Sequence, residues 1–376
     1  MLYRSLGNTG LKVSQLGFGA MRLPMTEPDE KGDARVNLEL AVPMIHHAFE
    51  AGVNYIDTAI GYCNSDSQRA VGQALRGWRD KVIVSTKNHY YGDDEGLWWQ
   101  NLEDSLARLG VEYIDIYNHH GVNWKSFTEA IEPRAAKWMQ KAYDQKLIRH
   151  ICCSFHDNNE SLRRLIDAGY ARVITLQYNL LDRQLEDGIA YSQEKGVGIV
   201  VMGPVGGGRL GVRSDVLAEL IPGVSRVPEL ALRFVLSNPN VSLALSGMST
   251  MAQVQENVAI CAAEATLSNS DKAAIKEHLL RLRKMADLYC TGCNYCQPCE
   301  AAEVNIPAVF EYFNRGKVYG LWDSARETYS KLGKEEWLKG KPADACLECG
   351  DCEDKCPQHI PIREQLKQAH AALTAA

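Results

Sequence analysis

The feature that most restricts the possible folds is a regular alternation of short apolar runs and longer segments between residues 13 and 265. The longer segments place apolar residues at helical spacing, as from Leu40 to Phe49, where the pattern stops at Gly52. The runs that predict strands are Val13–Gly19, Tyr55–Ala59, Val82–Thr86, Ile114–Asn118, His150–Ser154, Val173–Gln177, Gly198–Met202 and Ser242–Ser246. Eight strand–helix units in about 250 residues predict an α/β fold, a parallel (β/α)8 TIM barrel. An open dinucleotide-binding sheet also alternates, but no GxGxxG motif follows any of these runs.

A cysteine-rich tail follows this segment, with one run of the form CxxCxxCxxC and a second of the form CxxCxxCxxxCP. Such spacing is typical of [4Fe-4S] ligation, in which three thiolates of one run share a cluster with the last cysteine of the other. We therefore predict two clusters. The expected ligands are Cys290, Cys293, Cys296 and Cys356 for one cluster, and Cys346, Cys349, Cys352 and Cys299 for the other.

Disulfides and structural zinc are the alternative explanations of these cysteines. Disulfide frameworks suit short secreted chains, and zinc sites group cysteines in pairs separated by a span. Between the two runs, Pro307–Arg315 and Asp323–Leu332 have helical character, which predicts a small α-helical ferredoxin-like domain. We expect the barrel at residues 1–285 and the dicluster domain at residues 286–376.

Length and composition narrow the class of protein further. The chain has 376 residues, 45% hydrophobic residues and a net charge of −6, so nothing indicates a nucleic acid or an anionic membrane as partner. Residues 1–19 have no apolar core of signal-peptide length, and no apolar run is long enough to span a bilayer. The cysteine content suits a reducing interior, so we expect a cytoplasmic protein.

Polar residues follow the predicted strands at the end where TIM barrels carry their reactive groups. Asp57 and Tyr62 follow the second strand, Lys87 the third, and the pair His119/His120 the fourth. A tyrosine is a poor acid at neutral pH, but a nearby ammonium lowers its pKa and a carboxylate can hold that ammonium in place. This set predicts proton transfer, with Tyr62 as the acid.

Several stretches in order resemble the aldo/keto reductase family. They are Leu6–Arg22 (LGNTGLKVSQLGFGAMR), Gly52–Tyr62 (GVNYIDTAIGY), Val82–Lys87 (VIVSTK), Tyr113–His120 (YIDIYNHH), Pro204–Leu210 (PVGGGRL) and Ala231–Asn257. With the cysteine tail, the chain is similar to the iron–sulfur subgroup of that family. The resemblance implies hydride transfer between a nicotinamide, NAD(H) or NADP(H), and a small carbonyl or alcohol substrate.

The same resemblance implies a catalytic tetrad of Asp57, Tyr62, Lys87 and His120. The family pattern D-aliphatic-Y-x-x-H, counted from Asp115, selects His120 over His119. The residues expected to contact the cofactor are Gly19, Met21, Arg22, Ser154, Gln177, Met202, Pro204, Gly206, Gly208, Arg209, Gly247, Ser249, Gln253 and Asn257.

At some cofactor positions the sequence departs from the family pattern. Cys152 replaces a usual glycine, Phe155 an asparagine, Thr175 a common glutamine and Met202 a tyrosine that stacks on the nicotinamide. The loop Ser246–Thr250, where reductases that prefer the 2′-phosphorylated cofactor carry Lys or Arg, contains neither. We therefore expect NADH to be used at least as well as NADPH.

The role of the clusters has three explanations. They could be structural staples, they could pass electrons from a partner ferredoxin or flavoprotein, or a flavin could replace the nicotinamide in the barrel. A non-catalytic electron-transfer protein is a further alternative, although its mark would be the loss of tetrad residues, and all four are present. The identity of the substrate does not follow from the sequence.

Overall fold

A computed structural model describes residues 1–29, 33–206, 226–263, 267–285, 296–335, 337–356 and 360–375, together with Leu210, Ser214, Leu217, Val224 and Cys290. Within these residues, eight parallel strands close into a barrel in the order β10-β3-β4-β5-β6-β7-β8-β9. The barrel strands are β3 Leu16–Gly19, β4 Tyr55–Asp57, β5 Ile83–Asn88, β6 Ile114–Val122, β7 Ile148–Phe155, β8 Val173–Gln177, β9 Gly198–Met202 and β10 Leu243–Gly247. The predicted TIM barrel is confirmed.

The first expected strand, Val13–Gly19, is in fact divided between two sheets. Lys12–Ser14 (β2) pairs antiparallel with Tyr3–Ser5 (β1), and the barrel strand begins only at Leu16. The two strands are separated by a bend at Gln15, across which the Ser14 hydroxyl donates to the carbonyl of Leu16 over 2.6 Å. The local sequence pattern does not show this bend.

Helices follow the strands around the barrel. Their described bounds are α1 Leu38–Glu50, α2 Ser67–Ala74, α3 Glu95–Leu109, α4 Ala136–Asp144, α5 Asn159–Asp167, α6 Glu186–Glu194, α7 Val227–Leu236 and α8 Met251–Ala262, with a π-helix at Phe127–Ala135. Local chemistry fixes several ends: Asp94 caps α3 by accepting from the amide of Leu97, and Gly110 ends it in the left-handed conformation.

Alternation along the strands gives the barrel interior an apolar floor and a polar mouth. Tyr55, Ile116 and Val173 belong to a buried apolar cluster inside the barrel. Two residues further along the same strands stand Asp57, Asn118 and Thr175, which share the inward face because side chains alternate along a strand. Polar groups therefore collect toward the C-terminal ends of the strands.

A second compact unit contains the cysteine runs. By their contacts, residues 1–207 and 231–266 form one unit, and residues 208–230 and 267–376 form the other. The longer helices described in the second unit are α9 Asn269–Met285, α10 Ile306–Tyr319 and α11 Trp322–Ser330, followed by α12 Ile362–Thr374. The expected domain boundary at residue 285 stays a prediction. By its contacts, helix α9 groups with the C-terminal unit.

The core of the second unit lies between α10, α11 and α12. It is built around Phe310, Tyr329 and Leu366, and Cys356 is buried within it. Gly316 lets the ring of Trp322 pack directly on the backbone of α10, because a Cβ at this position would stand 2.2 Å from the ring. Across the part of the chain that the structure describes, no helix has the length and apolarity needed to cross a membrane.

Candidate active site and cluster-binding region

A buried ion pair lies at the mouth of the barrel, at the ends of neighbouring strands β4 and β5. The ammonium of Lys87 donates to the Oδ1 of Asp57 and, over 2.8 Å, to the carbonyl of Thr58. The hydroxyl of Ser85 donates to the Oδ2 of Asp57 over 2.7 Å. Burial alone would lower the pKa of Lys87, but Asp57 and Tyr62 outweigh it, so this pKa lies above its ordinary value. Lys87 is therefore a fixed positive charge.

Tyr62 places its ring over this charge. The Nζ of Lys87 lies 4.7 Å from the centroid of the Tyr62 ring. Burial raises the pKa of Tyr62, and the charge of Lys87 offsets this only in part, so the net direction is upward. We expected the ammonium to lower this pKa. In the fold, loss of hydration outweighs the ammonium, and Tyr62 stays protonated at neutral pH.

The two neighbouring histidines of β6 have different surroundings. The His120 ring lies 6.0 Å from the Tyr62 ring, edge to face, whereas His119 is fully buried beside Trp98. Burial, followed by the charge of Lys87, lowers the pKa of His120 to about 4. His120 is thus a neutral hydrogen-bonding group beside Tyr62, and the structure brings all four tetrad residues together at the mouth.

The chain leaves Tyr62 through a left-handed turn that the sequence did not indicate. The three residues after Tyr62 have positive φ angles of 52°, 54° and 64°, although none is glycine. Non-glycine residues avoid this region, so surrounding contacts must hold them there. The thiol of Cys63 donates to the carbonyl of Met21 over 3.4 Å, and the side-chain amide of Asn64 donates to the carbonyl of Ala34 over 3.1 Å. These contacts fix the backbone next to Tyr62.

The opposite half of the mouth is lined by glycines. Gly247 and Gly19 end the adjacent strands β10 and β3, and Gly203 follows β9 with φ of 63°. At Gly19 a Cβ would stand 3.2 Å from the carbonyl oxygen of Ser246, a tight contact with the neighbouring strand that favours glycine. At Gly247 and Gly203 a Cβ would come within 3.4 and 3.7 Å of the side chains of Arg22 and Gln177. The mouth therefore has an acid–base half and a half in which glycines end or follow the strands.

Three predicted cofactor residues lie on consecutive strands between these halves. Ser154, buried in β7, accepts a hydrogen bond from the amide of Gly121 over 2.9 Å, which leaves its hydroxyl hydrogen free for a carboxamide oxygen. The amide of Gln177 donates to Asp182 over 2.7 Å. Met202 ends β9, half-buried, with an apolar side chain that can cover a ring face.

The predicted contacts near β10 form a second group. The hydroxyl of Ser249 donates to the carbonyl of Arg22 over 2.8 Å, and its amide donates to the Oε1 of Gln253 over 2.7 Å. Asn257 is buried, and its amide donates to the Ser246 hydroxyl over 2.9 Å. Arg22 also lies against Gly247, since a Cβ added to this glycine would stand 3.4 Å from the Cδ of Arg22. The structure thus brings a cation to a loop that has none of its own.

Five further predicted cofactor residues lie near these groups or outside the described residues. Met21 is exposed in the turn Ala20–Arg22. Pro204 and Gly206 are buried just after β9. Gly208 and Arg209 lie outside the described residues, as does Cys293 among the expected cluster ligands.

The other expected ligands gather in the second unit. None of the seven described cysteines of the two runs takes part in a disulfide. A cavity is lined by cysteines of both runs, which fits ligation shared between the runs. These are Cys296, Cys299, Cys346, Cys349 and Cys352.

The donor set also bears on the kind of metal group. No three described His, Cys, Asp or Glu side chains converge on one metal ion. The thiols surround a space instead, as is needed for a cubane, whose four irons each take one thiolate at a corner. The amide of Glu348 points at the Sγ of Cys346 over 3.4 Å, a contact that stabilises a thiolate. The described cysteines therefore suit iron–sulfur clusters better than a single zinc ion.

Comparison with known families settles what the barrel belongs to. The model of the aldo/keto reductase family matches residues 15–219 and 214–280, more than half of the sequence. The chain belongs to the aldo/keto reductase family. A second model, the 4Fe-4S dicluster domain, matches residues 289–360. This aldo/keto reductase is therefore an oxidoreductase that carries an iron–sulfur domain of the ferredoxin type.

Individual relatives of this aldo/keto reductase agree. L-galactose dehydrogenase of Arabidopsis thaliana is 29% identical in an alignment 290 residues long that covers 68% of this chain and 86% of the relative. The NADH-specific methylglyoxal reductase of Escherichia coli is 28% identical in an alignment 325 residues long that covers 72% of this chain and 96% of the relative. An aldo-keto reductase of Bacillus halodurans, solved in its holo form, superimposes with a TM-score of 0.64 at 28% identity, covering 74% and 96% of the two chains. The flavin alternative gains no support from these relatives.

Proposed function

We propose that the barrel catalyses reversible oxidoreduction of a small carbonyl or alcohol substrate with NAD(H). The observation that carries this proposal is the buried Asp57–Lys87 pair beneath the ring of Tyr62, with the neutral ring of His120 beside it. This is a proton donor held over a fixed charge, next to the glycine-lined half of the mouth. Membership of an oxidoreductase family supports the same activity.

Each residue has a part in the reduction. When bound, the nicotinamide supplies a hydride from C4 to the carbonyl carbon. Tyr62 gives its phenolic proton to the carbonyl oxygen, so that the alcohol forms and a phenolate remains. Lys87 stabilises that phenolate, since its charge lies 4.7 Å from the ring centroid, and Asp57 keeps the charge in place. His120, neutral above about pH 4, can donate a hydrogen bond that orients the carbonyl.

Replacing the proton donor tests this proposal. In Tyr62→Phe the ring and its packing remain but the proton is lost, and we expect carbonyl turnover to fall at least ~100-fold, the usual contribution of a general acid. Cofactor binding and the visible absorption of the clusters should not change. Tyr191→Phe, on the outer helix α6, is a matched control that also removes one hydroxyl. Turnover by Tyr62→Phe at the wild-type rate would refute the role of Tyr62.

We further propose that NADH is used at least as well as NADPH. The loop Ser246–Thr250 has no Lys or Arg, and one relative is named as NADH-specific. Fluorescence titration of the oxygen-free protein should then give a Kd for NADH no larger than that for NADPH. A ~tenfold tighter affinity for NADPH, or ~1.4 kcal/mol, would contradict this. Arg22→Met identifies the reason in that case, because loss of an Arg22–phosphate contact would weaken NADPH alone.

For the tail we propose two [4Fe-4S] clusters with the shared ligation expected from the sequence. One of them exchanges electrons with a partner ferredoxin or flavoprotein, and its ligands are Cys299, Cys346, Cys349 and Cys352. Cys349 is exposed and the neighbouring Leu347 is 69% exposed, so this cluster would lie close to solvent. Anaerobic purification followed by iron and sulfide analysis tests how many clusters each chain binds. Stopped-flow mixing with reduced ferredoxin tests the exchange, and clusters that stay oxidised would instead indicate structural staples.

A further inference from the structure

Beneath the ion pair at the mouth, a chain of buried polar side chains crosses the barrel interior. From the far side it runs through Cys152, Thr175, Asn118 and Ser85 to the carboxylate of Asp57. The side chains come from β7, β8, β6, β5 and β4. All the members except Asp57 are fully buried, and Asp57 is 4% exposed. Almost none of their surface meets solvent, so these groups depend on neighbouring protein groups for hydrogen bonding.

The hydrogen bonds of this donor chain all point the same way. The Thr175 hydroxyl donates to the Oδ1 of Asn118, the Asn118 amide donates to the Ser85 hydroxyl, and Ser85 donates to Asp57. The distances shorten toward the carboxylate, from 3.4 to 3.2 to 2.7 Å. With its hydrogen on Asn118, the Thr175 hydroxyl can accept from the thiol of Cys152, whose Sγ lies 3.6 Å away and 3.7 Å from the carbonyl oxygen of Cys153.

A second bond fixes the orientation of the amide in the middle. The Nδ2 of Asn118 also donates to the carbonyl of Thr86 over 3.0 Å. The side-chain nitrogen of Asn118 must therefore face β5 and its oxygen β8. Because the Ser85 hydroxyl accepts from this nitrogen, its own hydrogen goes to Asp57. Hydrogen bonds in series polarise each other, most strongly where the surroundings are apolar, as they are above the apolar floor.

We propose that Ser85, Asn118 and Thr175, with Cys152 at the far end, are positioning residues that hold the carboxylate of Asp57 in place and aimed at Lys87. The proposal rests on the proposed function, since it assigns to these residues the support of the charge that acts on Tyr62. Cys152 and Thr175 are two of the positions at which the sequence departs from the family pattern. The donor chain gives both departures one physical role.

The decisive variant is Ser85→Ala, which removes the last donor. We expect kcat for carbonyl reduction to fall roughly ten- to hundredfold, the factor that one hydrogen bond to a charged group is worth, with KM changed less than ~threefold. A carboxylate of Asp57 that is no longer held toward Lys87 stabilises the ammonium less well. The alkaline limb of the pH–rate profile should therefore move to lower pH. Ser85→Thr keeps the donor and should restore most of both. Thr175→Val should show a smaller shift in the same direction.

Two measurements separate this role from a structural one. Ser192→Ala removes another fully buried serine, on α6, whose hydroxyl bonds only the carbonyl of Ile189, and it should leave the alkaline limb in place. An infrared difference spectrum between each protein and its Asp57→Asn form isolates the carboxylate stretching band of Asp57 and reads the donor chain without turnover. In Ser85→Ala this band should shift from its wild-type position, because one hydrogen bond to the carboxylate is lost. An unchanged limb and an unchanged band in Ser85→Ala would overturn the proposal, whereas an inactive wild type with a shifted band would overturn only the proposed function.

Discussion

Removing the negative partner of the buried pair should cost the barrel more stability than almost any other single change of similar size. Asp57→Asn keeps the shape and an acceptor for Ser85, but leaves the ammonium of Lys87 in a site where the side chain is 2% exposed. Breaking a buried pair in this way typically costs about 3 to 5 kcal/mol, because the remaining charge is uncompensated. The contact with the carbonyl of Thr58 compensates only in part.

The proton chemistry of Lys87 sets an upper limit to this cost. If the orphaned ammonium becomes too unfavourable, Lys87 can instead give up its proton. From an ordinary pKa near 10.4, this costs about 4.6 kcal/mol at pH 7, at about 1.36 kcal/mol per unit. We therefore expect Asp57→Asn to lower the free energy of unfolding by about 3 to 4.6 kcal/mol at pH 7.

The same argument fixes the sign of the pH dependence. In the variant the pKa of Lys87 would be lower in the folded than in the unfolded state, so the unfolded state binds the extra proton and stability rises with pH. The penalty should shrink by up to about 1.36 kcal/mol for each pH unit above 7. Lys87→Met in the same chain should recover most of the loss, since the uncompensated charge is gone.

Urea unfolding followed by tryptophan fluorescence, without oxygen, measures these values. The exposed pair Glu160–Arg164 on α5 offers a control, and Glu160→Gln should change stability by less than about 0.5 kcal/mol. A cost below about 1 kcal/mol for Asp57→Asn, or a cost that does not change between pH 7 and pH 9, would refute the reasoning. Either result would mean that water reaches Lys87 or that the pair is not formed.

Two further variants test buried groups outside the tetrad. His119 is fully buried, and burial lowers its pKa to about 3. Its stabilising contribution is therefore present above its unfolded pKa near 6.5 and is lost as pH falls. In His119→Phe the loss of stability between pH 7 and pH 5 should be smaller than in wild type by about 2 kcal/mol in urea titrations. In the second unit, the Tyr329 hydroxyl accepts from the amide of Ala343 over 2.9 Å and bonds the Nδ1 of His370 over 2.7 Å, next to the run that begins at Cys346. Tyr329→Phe leaves that amide unsatisfied at a cost of about 1 to 3 kcal/mol, and iron should be lost to a chelator faster than from wild type.

The barrel could be predicted from the sequence because each buried parallel strand is a short apolar run, and eight such runs limit the closed folds available. The ends of the strands could not be predicted as well. We expected β6 to stop at Asn118, but it continues to Val122 because β7 offers pairing partners beyond Cys152. Strand length depends on the neighbour in space, which the local pattern does not contain.

The meeting of the proposed tetrad residues at the mouth could be predicted because reactive residues of such barrels stand at the C-terminal strand ends, with His120 preferred to His119 on the family resemblance. Its electrostatics could not be predicted. The sequence supplied an ammonium near Tyr62, which alone lowers the pKa, whereas the net direction depends on how much water the fold removes from the ring. The left-handed turn from Cys63 to Ser65 was also out of reach, because none of its residues is glycine and its φ angles are held by contacts to distant loops.

The departures at Cys152 and Thr175 have a different meaning once the layers of the barrel are known. In the sequence they stand among the cofactor positions and weaken the case for a nicotinamide site. In the structure Cys152 belongs to the apolar floor, and both side chains end a hydrogen-bonded chain below the mouth. A bound cofactor would meet the residues one inward position higher, Ser154 and Gln177. The departures therefore bear on the support of Asp57, and the case for the nicotinamide rests on the mouth itself.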